Sequence, residues 1–87
     1  MKAFRVKKFD HFLNVNRFEF VLCKDIVDQK LVFLVLQEKA VVNFELQNGM
    51  KFLLSLPCNE SEFEKFKIRW ERFKENEDYY FDLSEWS

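Results

Sequence analysis

The amino-acid sequence predicts an α+β fold: an antiparallel five- to six-stranded meander sheet, free to curl toward a barrel, packed by one C-terminal α-helix. Three observations carry that expectation. Leu31-Val32-Phe33-Leu34-Val35-Leu36 is an unbroken apolar run between Lys30 and Gln37-Glu38-Lys39. It is too short to span a bilayer and too rich in β-branched residues for a helix, so it reads as a strand buried on both faces. Other segments alternate apolar and polar residues with the period of a strand. Phe63, Phe66, Trp70 and Phe73 recur at spacings of three, four and three, the period of one helix face.

Eighty-seven residues make a single domain over 1–87, with strands within about 2–56, a helix over about 60–76 and an extended C-terminal segment over about 78–86. A chain of this size buries only about 60 to 65% of its unfolded surface, so its core must be dense. Twelve Phe and two Trp supply that density. Glycine and proline occur once each, which argues against linkers and low-complexity segments.

Phe4 and Val6 alternate with Arg5 and Lys7, suggesting a first strand whose lysines suit a sheet edge. The segment Phe9 to Leu13 fits neither period. Asn14-Val15-Asn16 supplies turn chemistry, after which Phe18, Phe20 and Leu22 alternate with Glu19, Val21 and Cys23 in a second strand. A turn near Asp28-Gln29 leads to the apolar run, the third strand. Val42, Phe44 and Leu46 then define a fourth strand, and Met50, Phe52, Leu54 and Leu56 a fifth.

A loop Gln47-Asn48-Gly49, with Gly49 left-handed, pairs Leu46 with Met50, Phe44 with Phe52 and Val42 with Leu54, and sets Glu45 opposite Lys51. A two-residue Asn48-Gly49 turn would put the apolar rows on opposite sides, so the bulged loop is favoured. With Glu38-Lys39 as the preceding turn, Leu31, Phe33 and Val35 share a first face with Val42, Phe44 and Leu46. Asn59 or Ser61 can cap the helix, and Ser61-Glu62-Phe63-Glu64 has the capping-box pattern. The helical aromatic stripe is expected to cover that first face. The second face carries Val21, Cys23, Val32, Leu34, Leu36, Val41 and Leu53, and no second amphipathic helix exists to cover it. A curled sheet, the C-terminal segment or another chain must do so.

Charge separates mildly along the chain. Residues 1–57 hold nine Lys/Arg against six Asp/Glu and residues 58–87 hold five against nine, for a net charge of −1. The N-terminus lacks the apolar stretch of a signal peptide or anchor, and two cysteines, Cys23 and Cys58, suit free thiols in a reducing compartment, so a cytoplasmic location is expected.

Chemistry-bearing motifs are sparse. His11 has no nucleophile motif or oxyanion loop beside it, and reads as a surface or structural histidine. His11, Cys23 and Cys58 lack the paired spacing of a zinc site, so no metal is expected. Cys58 sits near a helix N-terminus, which favours a thiolate, while Cys23 reads as a small buried residue. Glu60, Glu62 and Glu64 fall in the first helical turn, where the macrodipole accounts for them. With no phosphate loop or dinucleotide fingerprint, neither enzymatic activity nor a cofactor is expected.

The tail from Glu75 to Ser87 is acidic and aromatic, and Tyr79, Phe81 and Leu83 alternate with Tyr80, Asp82 and Ser84. It is either a sixth strand or a docking segment. The expected function is that of a small non-enzymatic protein-interaction module, of inhibitor, immunity or adaptor type or a subunit of a larger complex. Its partner would be another protein or a second copy of itself, with no membrane involved. The candidate contact residues are Val32, Leu34, Leu36, Val41, Leu53, Tyr79, Tyr80, Phe81 and Trp86. The element order of a five-stranded meander and one helix also resembles the single-strand-binding domains of the PC4, Whirly and Pur groups. That resemblance implies nucleic-acid binding in which Arg5, Lys7, Lys8, Arg17 and Lys24 meet phosphates and an exposed aromatic ring stacks on bases. The pI of about 5.8 weighs against it.

Overall fold

A computed structural model describes residues 2–75 and 80–87. The chain runs through β1 (Ala3–Asp10), β2 (Val15–Leu22), a 3₁₀ turn (Cys23–Asp25), β3 (Ile26–Leu34), β4 (Lys39–Leu46), β5 (Lys51–Pro57), α1 (Glu60–Glu75) and β6 (Tyr80–Leu83). The class is α+β, but the strands form two three-stranded sheets, ordered β2-β1-β6 and β3-β4-β5, where a single five- to six-stranded meander was expected.

The 3₁₀ turn divides them. At its start the Cys23 N–H donates to Lys2 O at 3.0 Å and so extends the β1–β2 ladder; at its end Asp25 O accepts from the Gln47 N–H at 2.9 Å, beside the second sheet. The first and last residues of one three-residue turn therefore serve different sheets, and β2 never pairs with β3. The fourth to sixth strands refine this picture. β6 lies parallel to β1, with Ala3 opposite Tyr80 and Val6 opposite Leu83. β1 is thus the central strand of its sheet, so the expectation that its lysines mark an edge is corrected.

In the second sheet the expected register is present: Phe44 opposite Phe52, Val42 opposite Leu54, Glu45 opposite Lys51. The Leu46 N–H donates to Met50 O at 2.8 Å, the Gly49 N–H to Leu46 O at 2.9 Å, and Gly49 takes a φ of 86°. A residue with a Cβ resists that backbone, which explains the glycine there.

β3 begins earlier and ends earlier than the apolar run. Val35 and Leu36 fall in a loop closed by Glu38 at a φ of 49°, and are 68% and 99% exposed. The run is therefore not a strand buried on both faces, because its last two residues pass over the turn.

One aromatic core joins both sheets and the helix. The Phe4 ring lies 4.9 Å from Phe44, 5.1 Å from Trp70 and 5.2 Å from Phe73, so β1, β4 and α1 meet on a single side chain. Phe33 stacks on Phe63 at 5.1 Å, which places the helical stripe over the first face as its spacing predicts. At the helix start Asn59 Oδ1 accepts from the Glu62 N–H and Glu62 Oε1 accepts from the Asn59 N–H, a reciprocal cap. Lys2 closes the other end by donating to Phe73 O at 2.7 Å and Lys74 O at 2.8 Å.

Candidate interaction surface

The second face of β3-β4-β5 carries less apolar surface than its alternation suggests. Val32 and Leu53 are 42% and 56% exposed, yet Val41 between them is 6% exposed and Leu34 is half-buried. In the same rows stand Lys30 and Asn43 beside Leu53, and Ser55 beside Val41. Leu36 belongs to the β3–β4 loop. Polar positions thus interrupt what the sequence presents as one patch.

The C-terminal segment is built into the molecule. Phe81 packs on Trp70, Phe66 and Phe73 at 5.7, 5.3 and 5.5 Å, and Trp86 lies 4.7 Å from Phe66 and is 3% exposed. Beyond it the Ser87 N–H and O pair with the Ser55 O and N–H at 3.0 and 2.8 Å, which pins the C-terminal residue to the open edge of β5. Val41 and Trp86 are buried and therefore offer no contact surface as placed, and Phe81, packed against the core, offers little. Tyr79 lies outside the described residues. Tyr80 alone of this group is well exposed, at 52%.

The large exposed aromatic surface lies on the first sheet. Antiparallel pairing sets Arg5 opposite Phe20 and Lys7 opposite Phe18, while Phe4 faces Val21 and Val6 faces Glu19. Phe4 and Val6 turn into the core, so Val21 follows them inward and Phe18 and Phe20 turn out, at 55% and 57% exposure. Parallel pairing adds Tyr80, whose ring meets Phe20 edge to face at 5.8 Å. Arg5 ties the surface together: its guanidinium lies 4.2 Å over the Phe18 ring and donates to Asp82 Oδ2 at 3.3 Å. The Ser84 side chain first, then its backbone N–H and Arg5, hold the Asp82 carboxyl below its ordinary value of 3.8 against the opposing effect of burial.

The same hairpin ends in an ordered apolar tip. Asp10 Oδ1 accepts from the Phe12 and Leu13 N–H groups at 2.9 and 3.1 Å, and its Oδ2 accepts from Arg17 at 3.1 Å. Those bonds, led by the Leu13 amide, hold the Asp10 carboxyl below its usual range. Phe12 and Leu13 project beyond them at 101% and 66% exposure.

The alternation that sets Val21 and Cys23 on the second face leaves Phe18 and Phe20 to the row the helix covers, and the structure inverts this, with Val21 and Cys23 against the core and the two phenylalanines outside. The signal that would have shown the inversion is the four-residue loop His11–Asn14, with Asp10 capping the amides of residues 12 and 13. That loop sets Asp10 opposite Val15, and every pair down to Phe4 opposite Val21 follows.

The five cationic positions do not converge on one track. Arg5 and Lys7 share the outer face with Phe18 and Phe20, whereas Lys8 and Arg17 oppose each other in the other row and Lys24 sits on the 3₁₀ turn. Arg5 is paired with Asp82 and Arg17 with Asp10. His11 is exposed, its ring 4.9 Å from Phe9. Cys23 and Cys58 are free thiols, half-buried against the core, and burial pushes the Cys23 thiol up against the opposing pull of Lys2. Among the described residues no group of three or more His, Cys, Asp or Glu is placed to hold a metal ion, and no helix is long and apolar enough to cross a membrane. No protein-family model, curated protein or solved structure matches this chain.

Proposed function

We propose that this chain is a non-enzymatic protein-interaction module whose contact surface is the outer face of β2-β1-β6, centred on Phe18, Phe20 and Tyr80. The observation that carries the reading is the inverted use of β2, which keeps Val21 for the core and turns two phenylalanines to water. Aromatic rings held in place by neighbours lose little freedom on docking, and such rings commonly dominate interface energetics at about 2 kcal/mol or more each. Edge-to-face contact with Tyr80 and the Arg5 guanidinium supply that support here. The face of β3-β4-β5, broken by Asn43, Lys30 and Ser55, supports the reading less.

Affinity capture from native lysate with matched double variants tests it. Phe20→Ser with Tyr80→Ser should lose the captured partner while keeping the native circular dichroism spectrum. Val32→Ser with Leu53→Ser should retain the partner; the opposite ranking would move the surface to the second sheet. Single-stranded oligonucleotides titrated at low and high salt address the nucleic-acid alternative, which the nearness of Arg5 and Lys7 to exposed rings favours. Binding that falls steeply with salt would replace the proposal, because phosphate contacts release counterions.

A further inference from the structure

β2 is the one long strand whose outer edge the fold leaves undefended among the described residues. β6 is only four residues long, and β5 is occupied at Ser55 by Ser87 and ends in Pro57. β3 carries a register break between Ile26 and Asp28, with Asp28 and Lys30 along it. Short strands, proline, bulges and edge charges are the usual devices against edge-to-edge pairing. β2 has eight residues, no proline and no register break, its two charges, Arg17 and Glu19, are of opposite sign, and nothing among the described residues pairs with its outer side.

We infer that β2 pairs antiparallel with β2 of a second copy across a two-fold axis at Phe18, joining two three-stranded sheets into one of six. Register decides the occupant. For both outer faces to lie on the same side of the joined sheet, each residue must meet one of its own parity. Centring on Arg17 would set Arg17 against itself, and centring on Glu19 would set Glu19 against itself. Centring on Phe18 sets Arg17 opposite Glu19 of the second copy, twice by symmetry, Val15 opposite Val21, Asn16 opposite Phe20, and Phe18 opposite its own counterpart.

The strand is therefore complementary in charge to itself in that register and to no neighbouring one. Within one copy Lys8 stands directly opposite Arg17, a like-charge pair that Asp10 offsets in part at 3.1 Å. Glu19 forms no ion pair among the described residues and faces Val6 across the strand. In the joined sheet Glu19 of the second copy extends the row Lys8-Arg17 and completes its charge balance. The pairing goes beyond the proposed function and needs no other protein, since it uses the edge of the hairpin and leaves Phe20 and Tyr80 uncovered.

Sedimentation equilibrium of the full chain over a wide concentration range, with charge reversals, tests the inference. The native chain should show a monomer–dimer equilibrium. Arg17→Glu and Glu19→Arg should each raise the dissociation constant by about tenfold or more, since each sets two like-charge pairs across the axis. Mixing the two single variants should restore association as a heterodimer, and the double variant should dimerise alone. Circular dichroism keeps the readout separate from folding, which matters for Arg17→Glu because it also removes the bond to Asp10. A native chain that stays monomeric throughout, or single reversals that dimerise as the native chain does, or a mixture that stays monomeric, would each overturn it. Capture of a partner that depends on Phe20 by a strictly monomeric chain would overturn the pairing and leave the proposed function standing.

Discussion

In the β4–β5 hairpin Phe44 and Phe52 face each other across the strands with rings 5.1 Å apart, and Phe44 is 2% exposed. In the β1–β2 hairpin the equivalent heavy row, Phe18 and Phe20, faces solvent at 55% and 57%. Both hairpins have a turn set by one residue, Gly49 or Asp10. What differs is the strand each is paired with. β4 is central and carries its own large residues inward, so β5 follows in phase. β1 carries Phe4 and Val6 inward, and the pairing that places Val21 behind Phe4 leaves β2's phenylalanines outside. Alternation defines two rows per strand; the neighbouring strand decides which row is core.

The sharpest way to break this comparison is to truncate both rows. Phe44→Ala should cost about 3–5 kcal/mol in urea unfolding, the range for emptying a packed aromatic site. Phe18→Ala and Phe20→Ala should each stay within about 0.5 kcal/mol, as exposed substitutions do. Equal losses would show that β2's aromatics are ordinary core.

The turns come next. Gly49→Ala should cost about 1–2 kcal/mol through the left-handed backbone alone, because a Cβ there would meet nothing within 4 Å. Asn59→Ala, which removes the reciprocal cap of the helix covering the inward hairpin, should cost about 1 kcal/mol in thermal or chemical unfolding. The smallest effect belongs to the outward hairpin's turn. Asp10 and Asp82 both have carboxyls held below their ordinary value of 3.8 in the folded chain. A depressed folded value means stability that is fully present above the unfolded carboxylate range and lost as pH falls through the folded one. Stability should therefore decline in acid below that range, and Asp10→Asn should flatten the decline in a urea midpoint measured against pH.

The second sheet and its helix were legible because their signals are local. The bulged loop at Gly49 and the match of Phe44 with Phe52, Val42 with Leu54 and Glu45 with Lys51 settle a register within about fifteen residues of chain. The helical stripe needs only its own period. The first sheet was not legible in the same way, since β1 and β6 pair across most of the chain and no spacing records that contact. The candidate site suffered accordingly. Val41 and Trp86 look available in the sequence and are buried, while Phe18 and Phe20 look buried and are exposed.

Composition and periodicity by themselves determined the α+β class, the aromatic helix face, the β4–β5 register and the two rows of β4 and β5, because each depends on neighbours a few residues apart; the turn expected at Asp28-Gln29 instead lies within β3. Only the tertiary structure decided that the strands divide into two sheets, that the C-terminal segment closes the first of them, and which row of β2 meets water. Those outcomes depend on the 3₁₀ turn at Cys23–Asp25, whose two ends bond toward different sheets, and on Phe4, a single side chain around which β1, β4 and α1 all pack.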